Sequence, residues 1–360
     1  MSETRHGSIP LPAGGPLLEV KNLKMYYPLS SGFMRGRAGE VKAVDDVSFS
    51  IAAGETLGLV GESGCGKSTT GRAILRALKP TGGEINYRRT DGQVVDLAAL
   101  SEKALKPYRR EIRMVFQDPY SSLNPRMTVL DIVGEPLRVN KVAKGRDLEE
   151  RVAELLRKAG LRPDYMRRYP HAFSGGERQR ISIARALALD PRIVVLDEAV
   201  SALDVSVRAQ ILNLLEDLQE ELNLTYLFIS HDLSVIEHIC DRVAVMYVGK
   251  LVETAPTDTL FRTPEHPYTE ALISSVPISD PRLRNTRNRL RLAGEIADPS
   301  NPPSGCAFHP RCRFATEICS RERPALRTLP DHDSHQGVAC HHAETLTLQG
   351  VTSEGMAAAD

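Results

Sequence analysis

The sequence predicts an α/β nucleotide-binding fold, and three features of the chain indicate it. An apolar run at 55–60 leads into a glycine-rich turn, and a helical pattern follows through about Leu78. A second apolar run, at 193–196, ends in two carboxylates. A third, at 225–229, is followed closely by a histidine. Buried-type strands alternating with helices, with polar residues at the strand ends, are typical of a nucleotide-binding α/β sheet.

The other elements follow from local pattern. Alternating polar and apolar residues predict strands at 17–27 and 41–51, separated by a Gly/Arg/Ser loop at 30–39. A mostly helical stretch is predicted at 147–187 and a helix at 207–222. A final hairpin is expected around Gly249, with strands at 242–248 and 250–254. We find no internal repeat.

Composition excludes several functional classes. The 360 residues include 46 Lys and Arg against 46 Asp and Glu, so the formal net charge is zero. Nucleic-acid-binding proteins usually carry a basic excess. Trp is absent and aromatic residues make up 5% of the chain, which argues against platforms for stacking bases. Hydrophobic residues at 41% and charged residues at 26% predict an ordinary globular protein with a sizeable core.

Membrane-spanning and secreted proteins are also disfavoured. No run approaches the roughly 18 apolar residues that a spanning helix needs. The first residues lack the apolar stretch of a signal peptide, and 1–16 resemble a disordered leader. We therefore expect a cytosolic protein, in which the six cysteines are ligands or free thiols rather than disulfides.

The turn after the first apolar run matches the phosphate-loop pattern G-x-x-x-x-G-K-[ST] at every fixed position. Glycines let successive backbone N–H groups point at phosphate oxygens, and the helix that follows offers its positive N-terminus. Lys67 is expected to reach the β- and γ-phosphates, and the Ser68 hydroxyl suits Mg²⁺. We expect no redox role for the cysteine of the loop. The predicted nucleotide contacts are Gly61, Ser63, Gly64, Cys65, Gly66, Lys67, Ser68 and Thr69.

The carboxylates at the end of the second apolar run complete a catalytic pattern. Asp197 lies at the strand tip, where an Mg²⁺-side aspartate is expected. Glu198 can act as the general base that polarises the attacking water. His231, after the third run, is predicted to contact the γ-phosphate, with a structural histidine as the alternative.

A second anion-binding helix start, Ser174-Gly175-Gly176-Glu177, identifies the class. Together with the phosphate loop, Gln117, the carboxylate strand, Asp204 and His231, in this order, it resembles the ATP-binding subunits of ABC transporters. The resemblance covers nearly the whole chain. It implies a P-loop NTPase cassette with a RecA-like core, an antiparallel β subdomain and a helical subdomain.

The resemblance also implies residue roles. ATP would lie between two cassettes, so that Ser174, Gly175, Gly176 and Glu177 contact the γ-phosphate held by the opposite subunit. Gln117 would bind Mg²⁺ or water and report the state of the membrane partner, and Asp204 would belong to the D-loop. Tyr27 would stack on adenine, with Tyr26 as the alternative. Ala199 stands where many cassettes have proline, which changes no catalytic group.

Finer features resemble the oligopeptide, dipeptide and nickel importers, most closely the F-type subunit. They are the stretches 54–68, 116–128, 266–269 and 301–312. Such a subunit pairs with a second, different ATP-binding subunit beneath two membrane subunits and is served by a solute-binding protein. It would lie at the cytoplasmic face of the membrane. The transported solute stays open between peptides, nickel and others. A soluble ABC ATPase and an iron–sulfur redox protein with an incidental ATPase are the competing interpretations.

Four cysteines cluster near the end of the chain. Spacing alone leaves an iron–sulfur cluster, zinc (completed by His309, His341 or His342) and free structural thiols equally open. The importer resemblance favours a [4Fe–4S] cluster. The four are Cys306, Cys312, Cys319 and Cys340. Cys240, outside this array, is expected to be buried in a helix.

We place a domain boundary at about 265–280, where proline and arginine become frequent. The predicted organisation is a leader at 1–16, an ABC cassette at 17–265, a small Cys-rich C-terminal domain at 266–345 and a flexible tail at 346–360. The alternating arginines before the Cys-rich domain are either a solvated segment or a contact with anionic headgroups or a partner subunit. They are Arg282, Arg284, Arg287, Arg289 and Arg291.

Overall fold

The chain packs as two units in the computed structural model. Unit 1 comprises Met1–Ile51, Leu57–Ala99 and Ser230–Asp360, and unit 2 comprises Ala52–Thr56 and Leu100–Ile229. The structure describes residues 15–29, 39–118, 122–276, 290, 292, 294–295, 297–330, 332 and 336–350. Most of the predicted leader, the alternating arginines and 351–360 lie outside these ranges.

Both units contain β-strands. In chain order they are β1 (Leu18–Pro28), β2 (Glu40–Ile51), β3 (Thr56–Val60), β4 (Gly82–Arg88), β5 (Val94–Asp96), β6 (Ile112–Val115), β7 (Ile193–Asp197), β8 (Thr225–Ser230), β9 (Arg242–Tyr247), β10 (Lys250–Pro256) and β11 (Gly337–Val338).

Helices lie between the strands and after them. In chain order they are α1 (Lys67–Ile74), α2 (Glu102–Leu105), α3 (Tyr108–Glu111), α4 (Val129–Val139), α5 (Gly145–Lys158), α6 (Gly175–Leu187), α7 (Val205–Leu222), α8 (Leu233–Ile239), α9 (Thr257–Arg262), α10 (Pro267–Ser274) and α11 (Glu317–Arg321). Short 3₁₀ turns occur at Pro163–Arg167, Pro170–Ala172 and His309–Arg311.

Unit 1 contains an antiparallel sheet of order β2-β1-β4-β5. In β1 the buried residues Leu18, Val20, Leu23 and Met25 give the sheet an apolar face. In the same unit β3 pairs in parallel with β9, and β10 and β11 continue from β9 in antiparallel pairs. This arrangement carries the phosphate loop at the end of β3.

Unit 2 contains the parallel strands β6, β7 and β8, with β7 in the middle. All five residues of β7 are buried, as expected for a parallel strand covered on both faces. Helices α4, α5 and α6 pack around an apolar cluster that includes Val133, Leu148, Val152, Leu156 and Ile181. The three α5 residues of this set are spaced four apart, which places them on one face of the helix.

Most predicted elements are confirmed. The strands expected at 17–27, 41–51, 55–60, 193–196 and 225–229 correspond to β1, β2, β3, β7 and β8. The hairpin around Gly249 is confirmed as β9–β10, and the helix at 207–222 as α7.

Two sequence expectations need correction, and a third, the mostly helical stretch at 147–187, is confirmed with more detail. Helix α1 ends at Ile74 rather than near Leu78, because Arg76 takes a left-handed φ of 53°. The stretch at 147–187 is two helices, α5 and α6, separated by two 3₁₀ turns that each begin with proline. Cys240 is buried as expected, but it follows α8 rather than lying within it.

No helix in the described part of the chain is long and apolar enough to cross a membrane.

The helical cluster of unit 2 provides a stability test with a matched control. Val133 is 0% exposed and Val139 is 65% exposed, and both belong to α4. Val133→Ala removes two buried methyl groups and leaves a cavity, so we expect a loss of about 2 kcal/mol in the free energy of unfolding. Val139→Ala should change it by less than about 0.5 kcal/mol. Urea unfolding followed by circular dichroism measures both. Equal losses would contradict the packing described here.

Candidate functional site

The phosphate loop of unit 1 runs between the end of β3 and the start of α1. Gly61 and Gly66 have left-handed φ values of 150° and 110°. A Cβ on Gly61 would lie 2.1 Å from the carbonyl oxygen of Met246, and one on Gly66 would lie 2.1 Å from that of Ala43. Both contacts are with backbone, which cannot move aside as a side chain can. Glycine is therefore required at both positions for steric as well as conformational reasons.

Lys67 is the first residue of α1 and is 4% exposed. Its ammonium donates hydrogen bonds to the carbonyl oxygens of Gly61, at 2.7 Å, and Glu62, at 2.9 Å. The N-cap residue Gly66 forms no side-chain cap, and Ser68 and Thr69 follow Lys67 in the first helical turn. The loop thus presents a cation and a helix N-terminus together, as an anion site requires.

Cys65 is packed against the loop. Its side chain is 3% exposed, and its sulfur lies 3.8 Å from the Lys67 ammonium. Burial raises the pKa of the Cys65 thiol, which keeps the thiol protonated. Its carbonyl oxygen accepts a hydrogen bond from Gly249 N–H at 2.9 Å. Cys65 is therefore a buried, protonated thiol that helps to pack the loop.

The two carboxylates of unit 2 lie at the end of β7. Asp197 is the last residue of the strand and is 1% exposed. Glu198 follows with a left-handed φ of 48°, and its N–H donates to the Ile229 carbonyl oxygen at 2.9 Å. Gln117 Nε2 donates a hydrogen bond to Glu198 Oε2 at 2.7 Å. The structure therefore brings together two predicted site residues that are 81 positions apart.

The Ser174 motif begins α6 with a capping box. Ser174 Oγ accepts a hydrogen bond from Glu177 N–H at 3.3 Å, and Glu177 Oε2 accepts one from Ser174 N–H at 2.9 Å. A Cβ on Gly176 would lie 2.4 Å from a Val207 methyl group, so a glycine lets α6 approach α7 closely. This reciprocal cap fixes the first turn of the helix and its positive end.

The remaining predicted residues of the cassette are at element ends. Asp204 is the exposed N-cap residue of α7 in unit 2. His231 is exposed and follows β8 directly, in unit 1. The strand-end location of His231 is the one expected from sequence.

The two candidate adenine-stacking tyrosines differ in their surroundings. The Tyr26 hydroxyl donates to Asp45 Oδ1 at 2.6 Å, and Lys42 Nζ lies 5.4 Å from the centroid of its ring. Burial, reinforced by the bond to Asp45, raises the pKa of Tyr26 above its ordinary value. Tyr27 is 37% exposed near the end of β1. Tyr26 is thus committed to contacts within unit 1.

The four clustered cysteines of unit 1 line one small cavity. Each is a free thiol. Burial is the main cause that raises the pKa of Cys306, Cys312 and Cys340, the last to about 11. The other three thiols of the group raise the pKa of Cys340 further.

The three histidines near the cysteines each use one ring nitrogen in a contact with a neighbouring oxygen. His309 Nδ1 lies 2.9 Å from the Cys306 carbonyl oxygen, and His341 Nε2 lies 2.9 Å from that of Glu322. His342 Nε2 lies 2.8 Å from Thr316 Oγ1 and 3.6 Å from Cys319 Sγ. Within the described residues, no three His, Cys, Asp or Glu side chains form a group arranged to hold one metal ion.

Sequence reasoning missed several residues around the phosphate loop. Glu62, in the loop itself, forms an ion pair with Arg311, and its backbone N–H donates to the Tyr268 hydroxyl. Tyr268 and Arg311 both lie in stretches, 266–269 and 301–312, that had been noted only as family resemblances. No charge or periodicity signal links positions so far apart.

Three features together define a P-loop ATPase of the ABC cassette class. They are a phosphate loop after a buried strand, a strand that ends in two carboxylates, and a capped helix start with the sequence Ser-Gly-Gly. Comparison with family models agrees: residues 44–201 match ABC transporter, and 252–319 match Oligopeptide/dipeptide transporter, C-terminal region. The chain belongs to the ATP-binding subunits of the oligopeptide and dipeptide ABC transporter family.

Curated relatives resemble the chain over most of its length. An oligopeptide transport ATP-binding protein of Bacillus subtilis is 53% identical over 90% of this chain and 97% of the relative. A dipeptide transport ATP-binding protein of Escherichia coli is 51% identical, over 87% of this chain and 91% of the relative.

Among solved structures, a dimeric ATP-binding cassette in a post-hydrolysis state, bound to ADP and Pi, superposes with a TM-score of 0.57. The two sequences are 30% identical, and the superposition covers 67% of this chain and 98% of the solved chain. The ABC cassette fold and the ATPase class predicted from sequence are confirmed.

The glycines of the phosphate loop provide a matched substitution pair. Gly64 also has a positive φ, 80°, but a Cβ there would meet nothing within 4 Å in the described residues. Gly64→Ala should therefore cost only the left-handed strain, about 1–2 kcal/mol. Gly66→Ala adds the clash with the Ala43 carbonyl oxygen, so we expect a clearly larger drop in the melting temperature. Thermal unfolding of both variants tests this, and equal drops would contradict the close backbone approach.

Proposed function

We propose that the chain is the ATP-hydrolysing subunit of an importer that takes up dipeptides and oligopeptides across the cytoplasmic membrane. The observation that carries the proposal is the match of residues 252–319 to the transporter C-terminal region, beside a complete cassette. Names of relatives that refer to oligopeptide and dipeptide transport support it. The same role with nickel or another small solute is the alternative, because solute choice in such complexes resides in other subunits.

The proposed nucleotide site uses the phosphate loop for the phosphates. The loop glycines and Thr69 would offer backbone N–H groups, and Lys67 would exchange its two carbonyl partners for β- and γ-phosphate oxygens. Ser68 and Asp197 would hold Mg²⁺, together with Gln117. The donor set suits this ion, because a hydroxyl, a carboxylate and an amide are hard oxygen ligands. When bound, Mg²⁺ neutralises charge that develops on the phosphates during transfer.

Hydrolysis is proposed to use Glu198 as the general base. The Gln117 amide donates to its carboxylate at 2.7 Å, which supports a role for Gln117 in orienting that base. His231 would contact the γ-phosphate. Catalysis of this kind consists mostly of positioning and of stabilising charge.

The second half of each composite site would come from a partner cassette. The capping box gives α6 a fixed N-terminus at Ser174, with Gly175 and Gly176 in its first turn. We propose that this helix start binds the γ-phosphate held by the other subunit, with Glu177 maintaining its shape and Asp204 nearby in the dimer. Closure would then be a population shift, driven by the better fit of ATP to the closed dimer.

Tyr27 is proposed as the adenine-stacking residue. Its ring is exposed near the end of β1, whereas the Tyr26 ring is covered by Lys42 and its hydroxyl is bound to Asp45. An exposed aromatic face is what base stacking requires.

The four cysteines are proposed to hold a [4Fe–4S] cluster. They line one cavity, and no carboxylate lines it with them. A cluster places each thiolate on a different iron, so the thiols need not approach one another as closely as around a single zinc ion.

The proposed assembly contains a second, different ATP-binding subunit, two membrane subunits and an extracytoplasmic solute-binding protein. The chain would act as the F-type subunit, peripheral at the cytoplasmic face. We also propose the predicted division into a cassette at 17–265 and a C-terminal domain at 266–345. A soluble ABC ATPase is the competing class, and the uptake experiment separates the two.

The base assignment predicts a selective loss of turnover. Glu198→Gln removes the proton acceptor, so ATP hydrolysis by the assembled transporter should fall at least about 100-fold while ATP binding is retained. Glu149→Gln, an exposed change on α5, is the matched control and should leave turnover within twofold. Steady-state phosphate release measures both. Unchanged hydrolysis in Glu198→Gln would rule out this base.

The transport assignment is tested by uptake. Cells carrying Lys67→Ala should lose import of labelled dipeptide and longer oligopeptide, because the phosphates lose their cation. Nickel uptake, measured in parallel, should be unaffected. Loss of nickel uptake alone would favour the alternative solute, and no loss at all, with the protein expressed, would favour a soluble ATPase.

The cluster assignment is tested by metal analysis of the anaerobically purified full chain. Iron and acid-labile sulfide should be present in equal amounts with visible absorbance, and Cys312→Ser should remove most of it. Cys240→Ser, outside the cavity, is the control and should retain it. One zinc per chain without sulfide would overturn the cluster in favour of zinc.

A further inference from the structure

The phosphate loop is held from outside by an ion pair that the known motifs do not include. Glu62 is the second residue of the loop, and its carboxylate accepts two hydrogen bonds from Arg311. Arg311 Nη1 donates to Glu62 Oε2 at 2.6 Å, and Arg311 Nη2 donates to Glu62 Oε1 at 3.0 Å. This is a bidentate pair, the geometry in which a guanidinium fixes a carboxylate most rigidly. The side chains are 7% exposed for Arg311 and 22% for Glu62, so water competes weakly with the pair.

A second contact from the C-terminal part of the chain holds the backbone of the same residue. Glu62 N–H donates to the Tyr268 hydroxyl at 2.8 Å. The Tyr268 ring is fully buried and packs 4.6 Å from Tyr247 and 5.4 Å from Phe308, measured between centroids. Tyr247 in turn accepts a 3.4 Å hydrogen bond from Arg311. Glu62 is therefore held at both its backbone and its carboxylate by one connected group.

Arg311 is carried by the segment that supplies two of the four clustered thiols. It ends the 3₁₀ turn His309–Arg311, between Cys306 and Cys312. The turn is fixed by a hydrogen bond that the Arg311 N–H donates to the Phe308 carbonyl oxygen at 3.0 Å. Cys306 N–H donates to the Cys319 carbonyl oxygen at 2.8 Å, which ties the segment to the helix bearing a third thiol. A change in how the thiols are held would therefore displace the Arg311 guanidinium.

The phosphate loop is the part of unit 1 whose shape matters most for anion binding. It contains three glycines with left-handed φ, which by themselves leave the chain many conformations in solution. A loop already fixed in its binding shape loses less conformational entropy when the ligand arrives, and so binds more tightly. The contacts at Glu62 supply such fixing at one side of the loop. At the other side of the loop, the Gly249 N–H fixes the backbone by donating a hydrogen bond to the Cys65 carbonyl oxygen.

We propose that Arg311 is a positioning residue for the phosphate loop, and that through the Arg311–Glu62 pair the four-cysteine region sets the affinity for ATP. The inference rests on the proposed use of this loop as the nucleotide site. Arg311 acts through Glu62, so its loss should weaken ATP binding and leave the chemical step intact. The C-terminal region thereby acquires a role in the ATPase cycle that needs no contact with ATP itself.

The first test compares two arginines of the same region. Arg311→Gln removes the pair with Glu62. Arg321→Gln removes an equal charge from an exposed pair with Glu317 on α11. Titration of the purified full chain with a fluorescent ATP analogue should show a dissociation constant raised about tenfold in Arg311→Gln and within twofold of wild type in Arg321→Gln. Arg311→Lys should recover only part of the affinity, because an ammonium cannot form the bidentate pair.

Kinetics separate positioning from a general loss of structure. In the assembled transporter, Arg311→Gln should raise KM for ATP by a similar factor while kcat stays within about twofold. Tyr268→Phe keeps the buried ring and removes only the acceptor of Glu62 N–H, so it should raise KM by a smaller factor. If Arg311→Gln fails to fold, Arg311→Lys decides the question, since a KM for ATP equal to that of wild type in Arg311→Lys overturns the proposal.

Coupling to the cysteines is tested by a double-mutant cycle. Cys312→Ser should raise the dissociation constant for the analogue, and the Cys312→Ser/Arg311→Gln double variant should raise it by less than the product of the two single factors. A full product would mean that the two sites act independently and would overturn the proposed link.

The variant Lys67→Ala distinguishes a failure of the Arg311 proposal from a failure of the proposed nucleotide site. Should Lys67→Ala bind the analogue as wild type does, the assignment of the loop is wrong and this inference falls with it. Should Lys67→Ala lose binding while Arg311→Gln retains it, only the inference fails.

Discussion

The close packing of backbone against backbone around the phosphate loop is the constraint on which the rest of unit 1 depends. Gly61 lies against the Met246 carbonyl of β9, and Gly66 lies against the Ala43 carbonyl of β2. Gly249, in the β9–β10 turn, approaches the Lys42 carbonyl so closely that its Cβ would lie 2.6 Å away. Three separate segments therefore meet through main-chain atoms, and none of the three glycines can be exchanged without moving another segment.

The same constraint explains a strained residue. Val248 has a φ of 42°, a left-handed conformation that a β-branched side chain rarely adopts. With Gly249 at 76°, it forms a tight hairpin turn of the kind that suits twisted strands. The turn directs Gly249 N–H to the Cys65 carbonyl oxygen and the Gly249 carbonyl oxygen to Asp45 N–H. The strain at Val248 is thus maintained by two hydrogen bonds, of which one reaches the phosphate loop at Cys65 and the other reaches β2 at Asp45.

Elements with strong local patterns could be predicted from sequence, and the others could not. Parallel strands such as β7 are continuous apolar runs, and the hairpin was marked by Gly249. Residues 82–96 gave no strand prediction, because the alternation in β4 is short: only Ile85 and Tyr87 are buried, and two glycines precede them. Helix α4 was missed because Gly134 and Pro136 lie inside it and are both unfavourable in helix interiors.

In the candidate site, the motifs could be read from sequence, but their contacts could not. The residues of the phosphate loop, of the carboxylate pair and of the Ser174 motif have fixed local spacing. Each motif could therefore be identified at the position that the structure gives it. The Gln117–Glu198 and Glu62–Arg311 contacts span 81 and 249 positions. In a chain with 46 residues of each charge, no pattern selects one such pair. The cysteine spacing also left an iron–sulfur cluster, zinc and free thiols open, and only the structure shows that the four thiols line one cavity.

These two long-range contacts suggest a division of control within the cassette. In unit 2, Gln117 contacts the proposed base, so a movement of the segment that carries Gln117 would change the direction of the Glu198 carboxylate and hence the rate of hydrolysis. In unit 1, Arg311 holds the loop that carries the phosphates, so a movement of the C-terminal segment would change ATP affinity. Binding and hydrolysis would then respond to different parts of the chain. A single motif that served both could not be adjusted for one without altering the other.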